Sequence, residues 1–331
     1  MNPLPADPAF SIERRRLLAA LGGLAMLPHP ALAQPAAWPA RAVRIIVPFP
    51  PGGPADGSAR VLSDLMAKSL GQPVTVENRA GAGSIVGTTA AVQSNDGYTL
   101  LMGSTSMTIL PALRNDLAYD VQKDLQPIGM VSTQPLVLSV AAASPLKSLA
   151  DVVTRGRVGE LSSGNSGNGT LSHLTTELFN LKMQARILSV PYKGESALVP
   201  DIASGVTAMA FLNLPSALPL VRSGRLRALA VTSAQALAAL PQVPTLKSLG
   251  LDEFVIEGWA ALFAARDVPQ AGVERTEAAL RQALGDTAVR ERFDGFGVTP
   301  APGSRLALRD YVKAEIERWG EVVRTRGIKM E

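Results

Sequence analysis

Side chains equipped for covalent or metal chemistry are scarce in this chain. Its 331 residues include no cysteine and only two histidines, His29 and His173. That excludes thiol nucleophiles, disulfides and cysteine metal sites, and leaves a histidine metal centre without a ligand set. Ser166, in Gly164-Asn165-Ser166-Gly167, looks at first like a nucleophile elbow. Its second glycine comes too early, and His173 follows on the same local helix instead of far downstream, so serine hydrolysis is disfavoured. A general base would have to be Asp56 or another lone carboxylate.

What the chain offers instead is backbone. Residues 45–60, IIVPFPPGGPADGSAR, run three β-favouring residues into Pro48, Pro50 and Pro51, then open a glycine loop that ends at Asp56 ahead of a helical pattern. Prolines without N–H groups stop the strand. Gly52 and Gly53 let a ligand approach the main chain, Asp56 is the predicted cap, and the first N–H groups of the helix suit an anion. The stretch 161–170, LSSGNSGNGT, is a second glycine-rich loop before a helix predicted over residues 171–179.

A third turn, NRAGAGSIVG over residues 78–87, imitates a dinucleotide fingerprint. Its spacing is one residue too long, and the next strand ends in Gly103-Ser104-Thr105-Ser106 with no acid for a ribose. A turn with close helix packing is therefore predicted, with no nicotinamide or other cofactor. The hydroxyls after that strand either cap a helix or donate to a ligand at a sheet edge. Ser189 to Gly194, SVPYKG, is a strand end read equally as an exposed turn or a pocket wall.

These residues need elements to hold them. Apolar patterning predicts strands at residues 43–47, 74–77, 98–102, 125–140, 208–212, 227–231 and 255–263, and helices at 58–70, 171–179, 197–205, 269–285 and from Ser304 onward. Residues 125–140 read as a strand connecting into a second domain. The stripe Leu308, Tyr311, Val312, Ile316, Trp319, Val323 reads as packing. Composition is that of a globular protein, 47% hydrophobic and 18% charged, with a net charge of +4 from scattered basic residues. Nucleic acid is thereby an unsuitable partner. At the N-terminus, Arg14 to Arg16 precede an apolar run too short to span a bilayer, and Ala31-Leu32-Ala33 is a cleavage site. Residues 1–33 are thus a predicted export signal, by either the Sec or the twin-arginine route.

Seven ordered motifs resemble the Bug family, periplasmic solute receptors associated with tripartite tricarboxylate transporters. They are Val47-Pro-Phe-Pro-Pro-Gly-Gly with Asp56 and Ala59-Arg60, Glu77-Asn78-Arg79-x-Gly-Ala-Gly, Asp96-Gly-Tyr-Thr-Leu, Ser163-Gly-Asn-Ser-Gly-Asn-Gly-Thr with His173, Val190-Pro-Tyr-Lys-Gly, Arg227-Ala-Leu-Ala-Val-Thr and Pro244-Thr245. The resemblance covers residues 38–331. It implies an α/β, two-lobed periplasmic binding protein of the Venus flytrap, type II-like kind, with two crossover strands and a C-terminal helix returning to the first lobe. Lobe 1 would be residues 38–140 plus 257–331, and lobe 2 residues 141–256. It also implies a monomeric, non-enzymatic receptor, soluble in the periplasm, holding a small carboxylate for membrane transporter subunits or for a sensor protein. A hydrolase or isomerase in the same cleft is the alternative. Carried over residue by residue, the ligand-binding set is Phe49, Pro51, Gly53 and Asp56 from the first lobe and Ser163, Asn168, Thr170 and His173 from the second. Ser104, Ser106 and Tyr192 form selecting walls. No metal site is implied. Where many relatives carry acids, this chain has Ala208 and Leu212, which would favour a ligand with an apolar body if Leu212 lies near the pocket.

Overall fold

The computed structural model describes residues 38–328. The predicted export signal, residues 1–33, lies outside the described residues.

The strands are β1 (Val43–Val47), β2 (Val74–Asn78), β3 (Thr99–Ser104), β4 (Leu125–Ala141), β5 (Ser162–Asn165), β6 (Leu188–Pro191), β7 (Met209–Asn213), β8 (Leu226–Val231), β9 (Glu257–Ala265) and β10 (Thr299–Pro300). The helices are α1 (Pro54–Leu70), α2 (Ile85–Val92), α3 (Ser106–Leu113), α4 (Val121–Asp124), α5 (Leu149–Arg157), α6 (Leu171–Met183), α7 (Glu195–Ser204), α8 (Leu214–Arg222), α9 (Gln270–Gly285), α10 (Thr287–Phe296) and α11 (Arg305–Arg326). The fold is mixed α/β. Its strand order is β2-β1-β3-β9-β4-β7-β5-β6, with β8 and β10 added on β4. β1 pairs in parallel with β2 and β3, and β5 with β6 and β7, while β9 runs antiparallel between β3 and β4.

The 17-residue β4 joins the two halves. Up to Pro135, opposite Glu257, it pairs with β9; from Leu136, opposite Asn213, it pairs with β7 and β8. A proline has no N–H for the ladder, which suits the point where the strand leaves one partner for another. The return crossing is tied to the outgoing one by Thr232. Its hydroxyl accepts from the Leu136 N–H at 2.8 Å and donates to the Ile256 carbonyl, and its backbone bonds to the same two residues.

Core packing follows the same division. Ile46, Leu101, Trp259 and Phe263 pack with Leu308 and Val312 of α11, whereas Leu138, Phe179, Phe211 and Phe254 pack with Trp319 and Val323 of that helix. The aromatic stripe is therefore packing, and α11 lies across both halves.

Three local expectations need correcting. α1 begins at Pro54, because proline at the first helical position is already set at the helical φ, and Gly53 is the N-cap. Residues 162–165, expected as loop, form β5, since β6 and β7 supply ladders on either side of a weakly β-favouring sequence. Finally, α8 and α10 were not expected. Pro215 and Pro219 disguise α8, and α10 follows α9 at once with Asp286 as its cap.

Candidate functional site

A cleft of about 700 Å³, its mouth included, opens where the two halves face each other. That is within the range of small-molecule sites. The first turns of α1, α3, α6, α7 and α8 all reach it, through Gly53 and Ala55, Ser106, Ser172, Ser196 and the N-cap Asn213 respectively. None of these five helices has a side-chain cap. Elsewhere α4, α5, α10 and α11 are capped by Asp120, Ser148, Asp286 and Ser304. α2 and α9 lack caps without reaching this cleft, α9 because its N-cap is a proline. The N-cap Thr105 could have capped α3, yet its hydroxyl accepts from the Trp259 N–H at 3.0 Å instead. The N-termini of α1, α3, α6 and α7 thus face the cleft without a side-chain cap, each with the positive end of a helix dipole behind it, while that of α8 already has the Glu195 carboxyl beside it. Among the described residues no lysine or arginine lines the cleft.

Of the expected binding residues, Phe49, Gly53, Ser104, Ser106 and Thr170 line this cleft. Asn168 and Tyr192 line a neighbouring cavity that shares Phe49 with it. The Tyr192 hydroxyl donates to Asp201 at 2.7 Å, which raises its pKa. Pro51, Asp56, Ser163 and His173 line neither cavity. Pro51 is exposed at the turn.

Asp56 is not the N-cap. It sits inside the first turn of α1 and its carboxylate accepts from the Gly52 N–H at 2.9 Å, from Arg60 at 3.0 Å and from Asn78 at 2.9 Å. Burial opposes its charge, but the bonds from Arg60, Gly52 and Asn78 outweigh burial and hold the carboxyl below its ordinary range. Asn78 also donates to the Phe49 carbonyl at 3.0 Å, so Asp56, Arg60 and Asn78 together brace the proline-glycine loop from behind. In the other half, Ser163 is fully buried with its hydroxyl on Thr176 at 3.0 Å. His173 is buried beneath the second loop, where its Nδ1 accepts from the Gly169 N–H at 3.3 Å, and burial pushes its pKa down. Both support the loop from within.

Among the cleft residues that escaped the sequence reading are Glu195, Asn213 and Gln134. Glu195 Oε1 accepts from both the backbone N–H and the side-chain Nδ2 of Asn213, at 2.9 and 2.8 Å, and Oε2 accepts from Ser216. Burial raises its pKa against those bonds. A signal did exist, for an acid directly after Gly194 suits a helix first turn and Asn213 before Leu214-Pro215 suits an N-cap. Leu212, by contrast, is buried in the core with Val137 and Leu198 and does not line the cleft, so its effect on the ligand drops out.

Glycines mark where the halves meet. A Cβ on Gly83, whose φ is +63°, would stand 2.1 Å from the Asn168 carbonyl oxygen, and one on Gly194 2.6 Å from Pro50 Cδ. Gly87 packs as closely on Pro48 and the Arg79 carbonyl, which accounts for the glycine spacing of residues 81–87 without a nucleotide.

Comparison with known proteins agrees with this architecture. Residues 58–328 match the family model described as the tripartite tricarboxylate transporter family receptor. Protein BugT of Bordetella pertussis is 40% identical over 299 residues, covering 89% of this chain and 92% of BugT. MatC of Rhodopseudomonas palustris, solved with bound malate, is 30% identical with a TM-score of 0.82, covering 86% of this chain and 100% of that one. A second R. palustris protein, solved with adipate, is 31% identical with a TM-score of 0.84 over 88% of this chain and 99% of that one. The strands, the crossings and the glycine loops together make this chain a two-lobed periplasmic binding protein, and it belongs to the Bug-type receptors of the tripartite tricarboxylate transporter family.

Proposed function

We propose that this protein, exported and freed of residues 1–33, is a monomeric and non-enzymatic periplasmic receptor that closes around one small carboxylate and presents it to membrane transporter subunits. One observation carries the reading: four helix N-termini without side-chain caps converge on a cleft whose described lining holds no lysine or arginine. A carboxylate satisfies such N–H groups directly or through water, and the helix dipoles offset its charge. Phe49, Pro54 and Leu171 supply the apolar walls for its body. The malate and adipate bound by two relatives support the ligand class. The lobes are proposed as residues 38–140 with 257–331 against 141–256, with hinges near residues 140 and 257, a reading supported by the change of partners along β4 between Pro135 and Leu136. Glycine contacts between the loops then form on closure.

The test is native mass spectrometry on protein purified without denaturation, followed by calorimetry with the retained acid and its methyl ester. Where no ligand is retained, malate and adipate serve as probes. The acid is expected to bind and the ester to fail. Equal binding of acid and ester, or no binding of any small acid, overturns the reading.

A further inference from the structure

The floor of the cleft lies where β9 passes between β3 and β4. Ser104 stands opposite Ala260, and Gln134 opposite Gly258. Side chains alternate along a strand, so Ser104, Ala260, Gly258 and Gln134 share one face. A Cβ on Gly258 would lie 3.1 Å from Asn213 Oδ1 and 3.4 Å from Leu171 Cδ2. Both belong to cleft residues, so this is the face on which the cleft opens. The central strand contributes a glycine and an alanine there, leaving space between polar flanks. Ser104 Oγ and Gln134 Oε1 are buried and have no hydrogen-bond partner among the described residues, and Gln134 is 8% exposed. An orphaned buried polar atom costs roughly 1–3 kcal/mol, so such a pair marks where a ligand group belongs.

The sign of that group follows from Asn213. Glu195 Oε1 accepts the backbone N–H of Asn213 and must therefore also face its Nδ2 as an acceptor. This holds whether or not Glu195 carries a proton, because a proton has its place on Oε2, beside Ser216. Asn213 Oδ1 is thereby turned toward Gly258 as an acceptor. The Gln134 amide and the Ser104 hydroxyl can turn to suit a guest, but Asn213 cannot. A carboxylate at this end would meet a fixed acceptor and a buried acid, with no described lysine or arginine in the lining to offset them.

We infer that Ser104, Gln134 and Asn213 form a distal subsite that selects an acid whose far end is an uncharged hydrogen-bond donor, a hydroxyl or carboxamide, over one ending in a second carboxylate. Glu195 is the positioning residue. The inference rests on the carboxylate reading above and adds the identity of the other end.

Calorimetry at pH 7 on the mature protein with matched pairs tests it: succinamate against succinate, glutaramate against glutarate, adipamate against adipate. In the best-fitting length the amide acid is expected to bind at least about tenfold tighter, the scale of one satisfied against one orphaned buried group. Gln134→Leu should weaken the amide acid more than the diacid and so narrow the ratio. Glu195→Ala, which removes the acceptor that fixes the Asn213 amide, should free Asn213 to turn its Nδ2 toward the guest and so narrow the ratio, with melting to show that the variant folds; a residue with only a structural role would move both ligands alike. Diacids binding as tightly as the amide acids, or a ratio unmoved by both folded variants, overturns the distal subsite alone. Failure of every acid in all three pairs overturns the carboxylate reading as well.

Discussion

Substituting Gly83 by alanine separates closure from folding, because the glycine carries two distinct penalties. The first is conformational: φ is +63°, a region an L side chain adopts at a cost of about 1 kcal/mol, wherever the lobes stand. The second is steric. The new Cβ would lie 2.1 Å from the Asn168 carbonyl oxygen, more than 1 Å inside ordinary contact, and the obstacle is backbone. On the proposed lobe division Asn168 belongs to the opposite loop, and the clash is then expected only in the closed form. Overpacking of this kind costs about 1–3 kcal/mol, or roughly 5- to 150-fold in Kd. Gly205→Ala is the matched control, since its φ is +83° and nothing lies within 4 Å of the added Cβ. Melting of ligand-free protein and calorimetry with the retained acid are the two assays. Both variants should lose about 2–4 °C in Tm, and Gly83→Ala alone should lose affinity. Equal Kd values for the two variants would refute the idea that this contact belongs to the closed state.

Gly53→Val should leave Tm nearly unchanged, because φ there is −85° and the nearest atom to an added Cβ is 3.7 Å away, yet it should abolish binding by filling the cleft; calorimetry and melting decide it. Affinity for a carboxylate should vary only modestly between physiological salt and 1 M, where the screening length falls from about 8 to about 3 Å, since the contacts are short-range and not made by basic side chains; a steep log-linear loss in a titration series would point to cations outside the cleft, such as Arg60 or, in the neighbouring cavity, Lys193. Asp56 has a lowered carboxyl pKa, so its stabilisation is complete above the ordinary value of 3.8 and disappears as pH falls through the lower folded value. Asp56→Asn should therefore lower Tm at pH 7, with the gap to wild type closing below about pH 3.8, as a pH series of melts would record.

Much of this arrangement could be read in the sequence where local chemistry decides it. Proline and glycine after Ile45-Ile46-Val47 announce a strand that stops and a helix that starts, and that loop does line the cleft. Ser304 caps as its position suggests. Asp56 misled because spacing alone does not distinguish an N-cap from a first-turn residue, and Pro54 moved the helix start upstream. Ser163, in β5, and His173, in α6, flank the right loop but face inward, since alternation along β5 and the turn of α6 decide which side chains reach the cleft. Glu195 and Asn213 escaped for another reason. They meet across 18 residues of chain and two elements, and that distance carries no periodic pattern. Gln134 was hidden inside an apolar strand, where only its register against Gly258 reveals the face it occupies.

Thr232 stitches the two crossing segments together beside the proposed hinge. Its hydroxyl and backbone make two hydrogen bonds to each crossing segment at one level, so neither segment can slide past it without breaking a pair at once. In the closure proposed above, the lobes turn about that stitch and both pairs are kept. A membrane partner touching both lobes would thus read one angular variable and no shear, and the two ends of its travel would act as a binary signal of whether the cleft is filled.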